Sequence, residues 1–464
     1  MGGRNADGRP RLFGTDGIRG RAGEGWLRED RAAVLGRAVA AVLGESLPGT
    51  PRALIGHDGR RSGPGLLAAI GHGMAEAGFH VDGVGLITTP GLAVLTRDGD
   101  YAVGVMISAS HNPAHDNGIK IFDEHGGKLG DDVEDAIQRY VEAHGEPVRE
   151  RRGARHGEAV LESKYVEYLL RIASDLDLSG LRIVLDCANG GGSHVAPRTL
   201  EALGADLTLI AADPDGDNIN RDCGSTKPQA LQAAVIELGA DLGVALDGDG
   251  DRCVLVDERG ELVDGDAMLT LLAIDAKQRR LLTGDAIVAT VMSNKGLHKA
   301  LSEAGVGVHT VGVGDRRVVE GLRQHGLSLG GEQSGHVLFE VDQDPGDQRP
   351  SALIGDGTLT ALRVMAAMRR AGTSLSTLAG TFRAFPQVLV NQVVADKPPF
   401  EELPGVLDEV RRIESELGDE GRVLLRYSGT ESLARVMVEG PDEALILSYA
   451  DGLAAIIAAR IADR

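Results

Sequence analysis

Residues 105–122 read VMISASHNPAHDNGIKIF. An apolar run stops at Ser108-Ala109-Ser110-His111-Asn112-Pro113, passes through Asp116-Asn117-Gly118 and turns apolar again at Ile119. Ser, Asn, Pro, Asp and Gly each favour turns for separate reasons, so an ordinary connection between strands accounts for the polar residues. The other reading is a serine presented at a strand end, as a nucleophile or as the carrier of a phosphoryl group. Spacing alone separates neither the two readings nor Ser108 from Ser110.

The surroundings of this stretch decide the fold class. Upstream, residues 28–45 (REDRAAVLGRAVAAVLGE) carry apolar positions at helical spacing, and residues 51–60 (PRALIGHDGR) are a short apolar run ending in turn residues. Residues 64–87 repeat the helix–strand order. That rhythm is βαβ and predicts a largely parallel sheet covered by helices. Ligands of such folds gather at the carboxyl ends of the strands, where the serine loop falls. The charged segment 151–158 (RRGARHGE) reads as a linker. The rhythm restarts at residue 164 and again near Leu262, without a strict short period, which predicts three related domains and not a solenoid. After Gly372 the strand-like runs QVLVNQVVADKPP, GRVLLRYSGTE and LARVMVEG, with two helical segments, predict an α+β domain with an antiparallel sheet. The predicted domains are 1–155, 156–257, 258–372 and 373–464.

At 464 residues the chain exceeds what one hydrophobic core serves, which agrees with several domains. Its 65 glycines, about twice ordinary usage, imply many backbone sites of positive φ or close ligand approach. A formal charge of −21 disfavours non-specific nucleic-acid binding and leaves room for a local basic pocket. Cys187, Cys223 and Cys253 lie far apart, with no CxxC spacing, and read as reduced thiols of a cytoplasmic protein. The opening MGGRNADGRP has no apolar run of a secretory signal, and no window is expected to span a membrane. A homodimer is compatible with the sequence.

Asp247-Gly-Asp-Gly-Asp-Arg252 is the strongest local signal. Three carboxylates at alternate positions repel unless something positive sits among them, and a hard divalent cation with oxygen ligands is the natural partner. Asp247, Asp249, Asp251 and Glu258 match positions one, three, five and twelve of an EF-hand loop. Position six demands glycine but is Arg252, and both flanks read as strands, so that reading fails. The similar DPDGDN at Asp213 reads as a loop. Mg²⁺ prefers to bridge carboxylates and phosphate oxygens. Residues 426–431 (RYSGTE), bracketed by Arg426 and Arg435, offer hydroxyls, exposed N–H groups and guanidinium forks suited to phosphate; a plain hairpin turn is the other reading. In residues 330–339 (GGEQSGHVLF), Glu332, Ser334 and His336 alternate. In an extended segment they share one face, suited to sugar hydroxyls or simply an exposed strand face.

SASHNPAHDNGIKIF, DGDGDR, GGEQSGH and RYSGTESLARVMVEG occur in this order over nearly the whole chain. In this the chain resembles the α-D-phosphohexomutase superfamily, whose four domains surround a central cleft and contribute one such loop each. FGTDGIRG (13–20) and the segment 213–226 (DPDGDNINRDCGST) are similar to the branch acting on glucosamine phosphate. The departures are Arg317, where that branch usually has an aromatic residue, and Tyr427 and Ser432, where prolines are common.

The resemblance implies that Ser110 carries the phosphoryl group and that one Mg²⁺ per subunit binds Asp247, Asp249, Asp251 and a phosphoryl oxygen of Ser110. It implies interconversion of glucosamine 6-phosphate and glucosamine 1-phosphate through a 1,6-bisphosphate, feeding UDP-N-acetylglucosamine synthesis. Lys120 and His336 match acid/base positions, and Arg19 and Arg252 neutralise phosphoryl charge. Glu332 and Ser334 would contact the sugar, and Arg426, Ser428, Gly429, Thr430 and Arg435 would hold phosphate. The alternatives are a phosphomannomutase or phosphoglucomutase with the same machinery, or a non-catalytic phosphosugar-binding protein.

Overall fold

The computed structural model describes residues 11–14, 16–44, 49–145, 155–156, 158–341, 352–428 and 432–462. The first sheet joins β1 (Ile18–Arg21), β2 (Arg52–His57), β3 (His80–Leu86), β4 (Val103–Ile107), β5 (Asp116–Asp123) and β6 (Arg155–His156) in the order β1-β5-β4-β2-β3-β6. The second joins β7 (Arg182–Asp186), β8 (Asp206–Ile210), β9 (Leu242–Leu246), β10 (Cys253–Asp257) and β11 (Leu262–Val263) as β11-β10-β9-β7-β8. The third joins β12 (Ala286–Thr290), β13 (Gly307–Val311), β14 (Leu329–Gly331), β15 (Val337–Val341) and β16 (Ala352–Gly355) as β13-β12-β14-β15-β16.

One arrangement recurs in all three. The runs β5-β4-β2-β3, β10-β9-β7-β8 and β15-β14-β12-β13 each hold three parallel strands and one antiparallel return strand. β4 and β9 bury every residue, as strands covered on both faces must. The polar motifs of the sequence are the turns between the last parallel strand and the return strand: residues 108–115, 247–252 and 332–336. Three related domains thus place their chemistry at equivalent corners, at the carboxyl ends of parallel strands.

Three expectations need correction. Residues 155–156 of the predicted linker pair with β3, so that part of the segment belongs to the first sheet; residues 151–154 and 157 lie outside the described residues. Residues 332–336 are not extended: they form a tight turn in which Gly335 takes φ +86°. The helix Glu443–Ala462 is long and apolar enough to span a membrane by length and composition. Ile446, Ala450, Leu453, Ala454 and Ile457 are instead buried in the core of the tail domain.

The chain divides into two compact units, one running to Met292 and including Val306–Thr381, the other holding Ser293–Gly305 and the chain from Phe382. In the second unit β17 (Gln387–Val393), β18 (Arg422–Tyr427) and β19 (Leu433–Glu439) form an antiparallel sheet ordered β17-β19-β18, as the tail pattern predicts. The helix Lys295–Glu303 joins this unit: the Lys295 amide donates to Glu439 (2.9 Å) and Arg422 donates to the Ser293 carbonyl (2.6 Å).

All three cysteines are free and buried. Burial pushes the Cys223 thiol up to about 12 and the Cys187 and Cys253 thiols higher still. A thiol reagent at pH 8 should therefore leave the native protein unmodified and label three thiols after denaturation. A fast-reacting thiol in the native protein would contradict this.

Candidate active site

The turn between β9 and β10 crowds three acids together. One carboxylate oxygen from each of Asp247, Asp249 and Asp251 lies within 4.8 Å of the others, and all three residues are buried. At an effective dielectric near 20, each ionised pair at that distance costs on the order of 3 kcal/mol. Gly250 makes the curl possible. It takes φ +68°, and a Cβ there would lie 2.6 Å from Thr88 Cγ2.

Part of the charge is met by neighbours. Lys120 Nζ donates to Asp249 Oδ2 (2.8 Å) and Asp251 Oδ2 (3.2 Å). Thr89 Oγ1 donates to the same Asp249 oxygen (2.5 Å). Two helices begin against this turn. Thr89, first residue of the helix Thr89–Asp98, donates its amide to the Asp249 carbonyl (2.8 Å), and Gly357 of the helix Gly357–Ala371 donates to the Gly250 carbonyl (3.0 Å). Their positive ends favour negative charge there.

Compensation is incomplete. Asp249 Oδ1 and Asp251 Oδ1 are buried and accept no hydrogen bond. Burial, then Asp251 and Asp249, pushes the Asp247 carboxyl well above the usual range. Burial works the same way on Asp251, but Lys120 and His336 outweigh it and hold that carboxyl well below. Two orphaned oxygens in a set of hard donors fit a divalent cation.

Ser110 faces this cluster. Its Oγ donates to Asp247 Oδ2 (2.7 Å) and lies 3.2 Å from His111 Nδ1. Burial, Arg252 and Arg19 depress the His111 imidazole to about 4, so it stands neutral beside the hydroxyl. Ser108 points the other way. Its Oγ donates to buried Asp58 (2.6 Å) and accepts the Ser110 amide (2.8 Å). Geometry therefore separates the two serines where spacing could not. Ser110 takes φ +53°, a conformation that costs a non-glycine residue roughly 1–2 kcal/mol.

A cavity of about 750 Å³ opens beside the cluster, lined by Arg19, Asp251, Arg252, Glu332, Ser334 and His336 among others. The predicted sugar-facing residues share this cavity although their backbone is a turn. Glu332 Oε1 accepts the Gly314 amide (3.1 Å). His336 Nδ1 lies 3.6 Å from Asp251 Oδ1 and its Nε2 4.0 Å from Asp315 Oδ2. Burial lowers the His336 pKa, but Asp251 and Asp315 raise it by more. Lys120 also lies 3.2 Å from Asp16. Burial lowers its pKa, and Asp16, Asp249 and Asp251 hold it well above its ordinary value, as an ammonium. Arg252 Nε is buried without a hydrogen-bond partner.

Arg426 and Arg435 are directly opposite on β18 and β19. The Ser428 amide donates to the Leu433 carbonyl (2.9 Å), and Lys397 donates to the Ser428 carbonyl (2.6 Å). Tyr427 stacks on Phe400 with centroids 4.3 Å apart. Gly429 and Thr430 lie outside the described residues.

Sequence reasoning missed several neighbours of the site. Asp16 bonds Arg19 and Lys128, and Lys128 also bonds Asp315 from the third sheet's domain. Asp16 sits in the quoted FGTDGIRG, where Gly17 at φ +77° brings the loop onto β5; a Cβ there would lie 2.3 Å from the Ile119 carbonyl oxygen. Gly17 of FGTDGIRG was the available signal, since glycine permits such a close approach. Arg60 and Asn220 sit in loops and Thr89 opens a helix, with no charge pattern that marks them.

Family models match along the chain: phosphoglucomutase/phosphomannomutase α/β/α domain I over residues 10–147, domain II over 163–260, domain III over 264–385 and the C-terminal domain over 389–456. A phosphoglucosamine mutase of Rhodococcus jostii is 48% identical over 97% of this chain and 99% of its own. One from Symbiobacterium thermophilum is 46% identical with the same coverage. Among solved structures, a phosphoglucomutase/phosphomannomutase family protein of Burkholderia thailandensis aligns with TM-score 0.77 at 25% identity, covering 96% of this chain and 97% of that one. An N-acetylphosphoglucosamine mutase of Aspergillus fumigatus, solved with GlcNAc-6P and magnesium, aligns with TM-score 0.63 at 17% identity, covering 97% and 96%, and shows the shared fold.

Replacing Asp249 by Asn should weaken divalent-cation binding on the order of tenfold or more while the protein stays folded, because the turn is a ligand cradle. Calorimetric titration with Mg²⁺ alongside thermal melting checks it. Unchanged cation affinity would remove Asp249 from the ligand set.

Proposed function

The chain belongs to the phosphoglucosamine mutase branch of the phosphoglucomutase/phosphomannomutase family, and from that premise we propose how its residues interconvert glucosamine 6-phosphate and glucosamine 1-phosphate. The observation that carries the proposal is Ser110 Oγ held 2.7 Å from Asp247 of the acid cluster, whose Asp251 lines the cavity. In the forward direction phosphorylated Ser110 gives its phosphoryl group to the sugar's 1-hydroxyl. The P–O bond to serine breaks, a P–O bond to the sugar forms, and the hydroxyl proton leaves. The resulting 1,6-bisphosphate turns over in the cavity and returns its 6-phosphoryl group to Ser110. Positioning and charge neutralisation supply most of the rate in such transfers.

We assign one Mg²⁺ to Asp247, Asp249, Asp251 and a phosphoryl oxygen on Ser110; when bound it offsets carboxylate and phosphoryl charge together. Lys120 enters the reaction as a proton donor, because three carboxylates hold it as an ammonium. His336, facing the cavity, exchanges the sugar hydroxyl proton. Arg19 and Arg252 neutralise the phosphoryl group. Glu332 and Ser334 meet the sugar, and the Glu332 carboxylate suits an ammonium at the second carbon. Arg426, Ser428, Gly429, Thr430 and Arg435 bind phosphate. We keep the four-domain division at residues 155, 257 and 372, and place the reaction in the cytoplasm, in keeping with three buried, unpaired cysteines.

Two measurements test the reading. Intact mass should reveal a fraction heavier by one phosphate that Ser110→Ala abolishes, and kcat/KM should be highest for glucosamine phosphates. Equal or better kcat/KM for glucose or mannose phosphates would move the chain to a neighbouring branch with Ser110 and the metal site unaltered. Arg435→Ala should weaken phosphosugar affinity more than it lowers kcat, although remote binding energy also positions the reacting centre. Unchanged affinity would sink the clamp assignment.

A further inference from the structure

Arg60 follows β2 in the segment GHDGR and is fully buried, although its side chain reaches neither the cavity nor the acid cluster. A guanidinium has five N–H donors, and here all five are used. Nε donates to Asp58 Oδ2 (2.8 Å). Nη2 donates to the carbonyls of Ser110 (2.9 Å) and Asn112 (2.8 Å). Nη1 donates to the carbonyls of Pro113 and Asp116, the latter at 3.0 Å. Three carbonyls of the serine loop and that of Asp116, first residue of β5, therefore converge on one side chain. The same group holds the other side of Ser110 indirectly, since Asp58 accepts from Ser108 Oγ, which accepts the Ser110 amide. Asn220, from the second sheet's domain, adds Nδ2 contacts to the carbonyls of Ser110 (2.9 Å) and Asn112 (3.1 Å).

We propose that Arg60, assisted by Asn220, is the positioning residue that locks the backbone on both sides of Ser110 in its left-handed conformation, so that the phosphorylated side chain can point only at the acid cluster. This rests on the phosphoserine reading. Its charge is paired with Asp58 and its donors are consumed by backbone, so Arg60 acts through the loop and not on the phosphoryl group. A lysine cannot replace it: three donors on a point charge cannot satisfy five acceptors.

The test is Arg60→Lys in the full-length enzyme, with two readouts. The first is kinetic: kcat per phosphorylated, folded molecule should fall about a hundredfold, the loss expected when a reacting group is misplaced by about 1 Å, while KM changes less than about threefold. The second is amide hydrogen exchange, which should quicken over residues 105–122 and stay unchanged across the second unit. Wild-type kcat, or unaltered exchange in that segment, overturns the proposal. If Arg60→Lys does not fold, Asn220→Gly, which tolerates the positive φ of that position, decides on the same readouts with a smaller loss of kcat. Wild-type enzyme that turns over no hexose phosphate would defeat the reaction instead, and the exchange measurement would still judge the clamp.

Discussion

Three buried carboxylates on a six-residue turn are the constraint around which the first unit is organised. Asp247, Asp249 and Asp251 cannot all stay ionised out of water unless positive charge and donors are brought to them. The chain does so from many distances in sequence. Lys120 reaches in from β5, Thr89 opens a helix on the turn, Gly357 opens another, and Arg252 and His336 close the remaining sides. Even so, two carboxylate oxygens remain without hydrogen bonds, a deficit that fits the cluster to a divalent cation.

The repeated sheet explains how such a site can be assembled. Each of the three α/β domains ends its parallel run in a turn to an antiparallel strand, and the three turns carry the serine, the acids and the cavity-lining residues Glu332, Ser334 and His336. One domain supplies one loop, so each loop can be specialised while the scaffold beneath it stays the same. The interdomain ties follow the same logic. Lys128 joins Asp16 to Asp315, and Arg316 donates to the Leu129 carbonyl and Glu134, binding the first and third domains beside the cavity.

The loop carrying Ser110 shows a division of labour between two chemically identical side chains. Ser108 spends its hydroxyl on Asp58 and on the Ser110 amide, inside the protein. Ser110 is held in a conformation serine rarely adopts, with its hydroxyl aimed at Asp247. The strain is local, and the donors that oppose it come from Arg60 and Asn220, fifty and more residues away in sequence.

The α/β rhythm, the change of character after Gly372 and the acid turn between two strands were legible in the sequence, because period, turn chemistry and charge repulsion act over a few residues. The four motifs, taken together, pointed to the family. What the sequence left open were relations across long distances. Whether Ser108 or Ser110 faces the acids depends on a backbone angle set by tertiary donors. That Glu332, Ser334 and His336 meet in one cavity follows from a tight turn and not from the extended strand their alternation suggested. The apolar helix Glu443–Ala462 is long and apolar enough for a membrane span, and only its packing in the tail domain makes it a core helix. Periodicity and composition are properties of neighbours in the chain; φ at Ser110, the five partners of Arg60 and the face a helix buries are settled by groups that only the folded chain brings together.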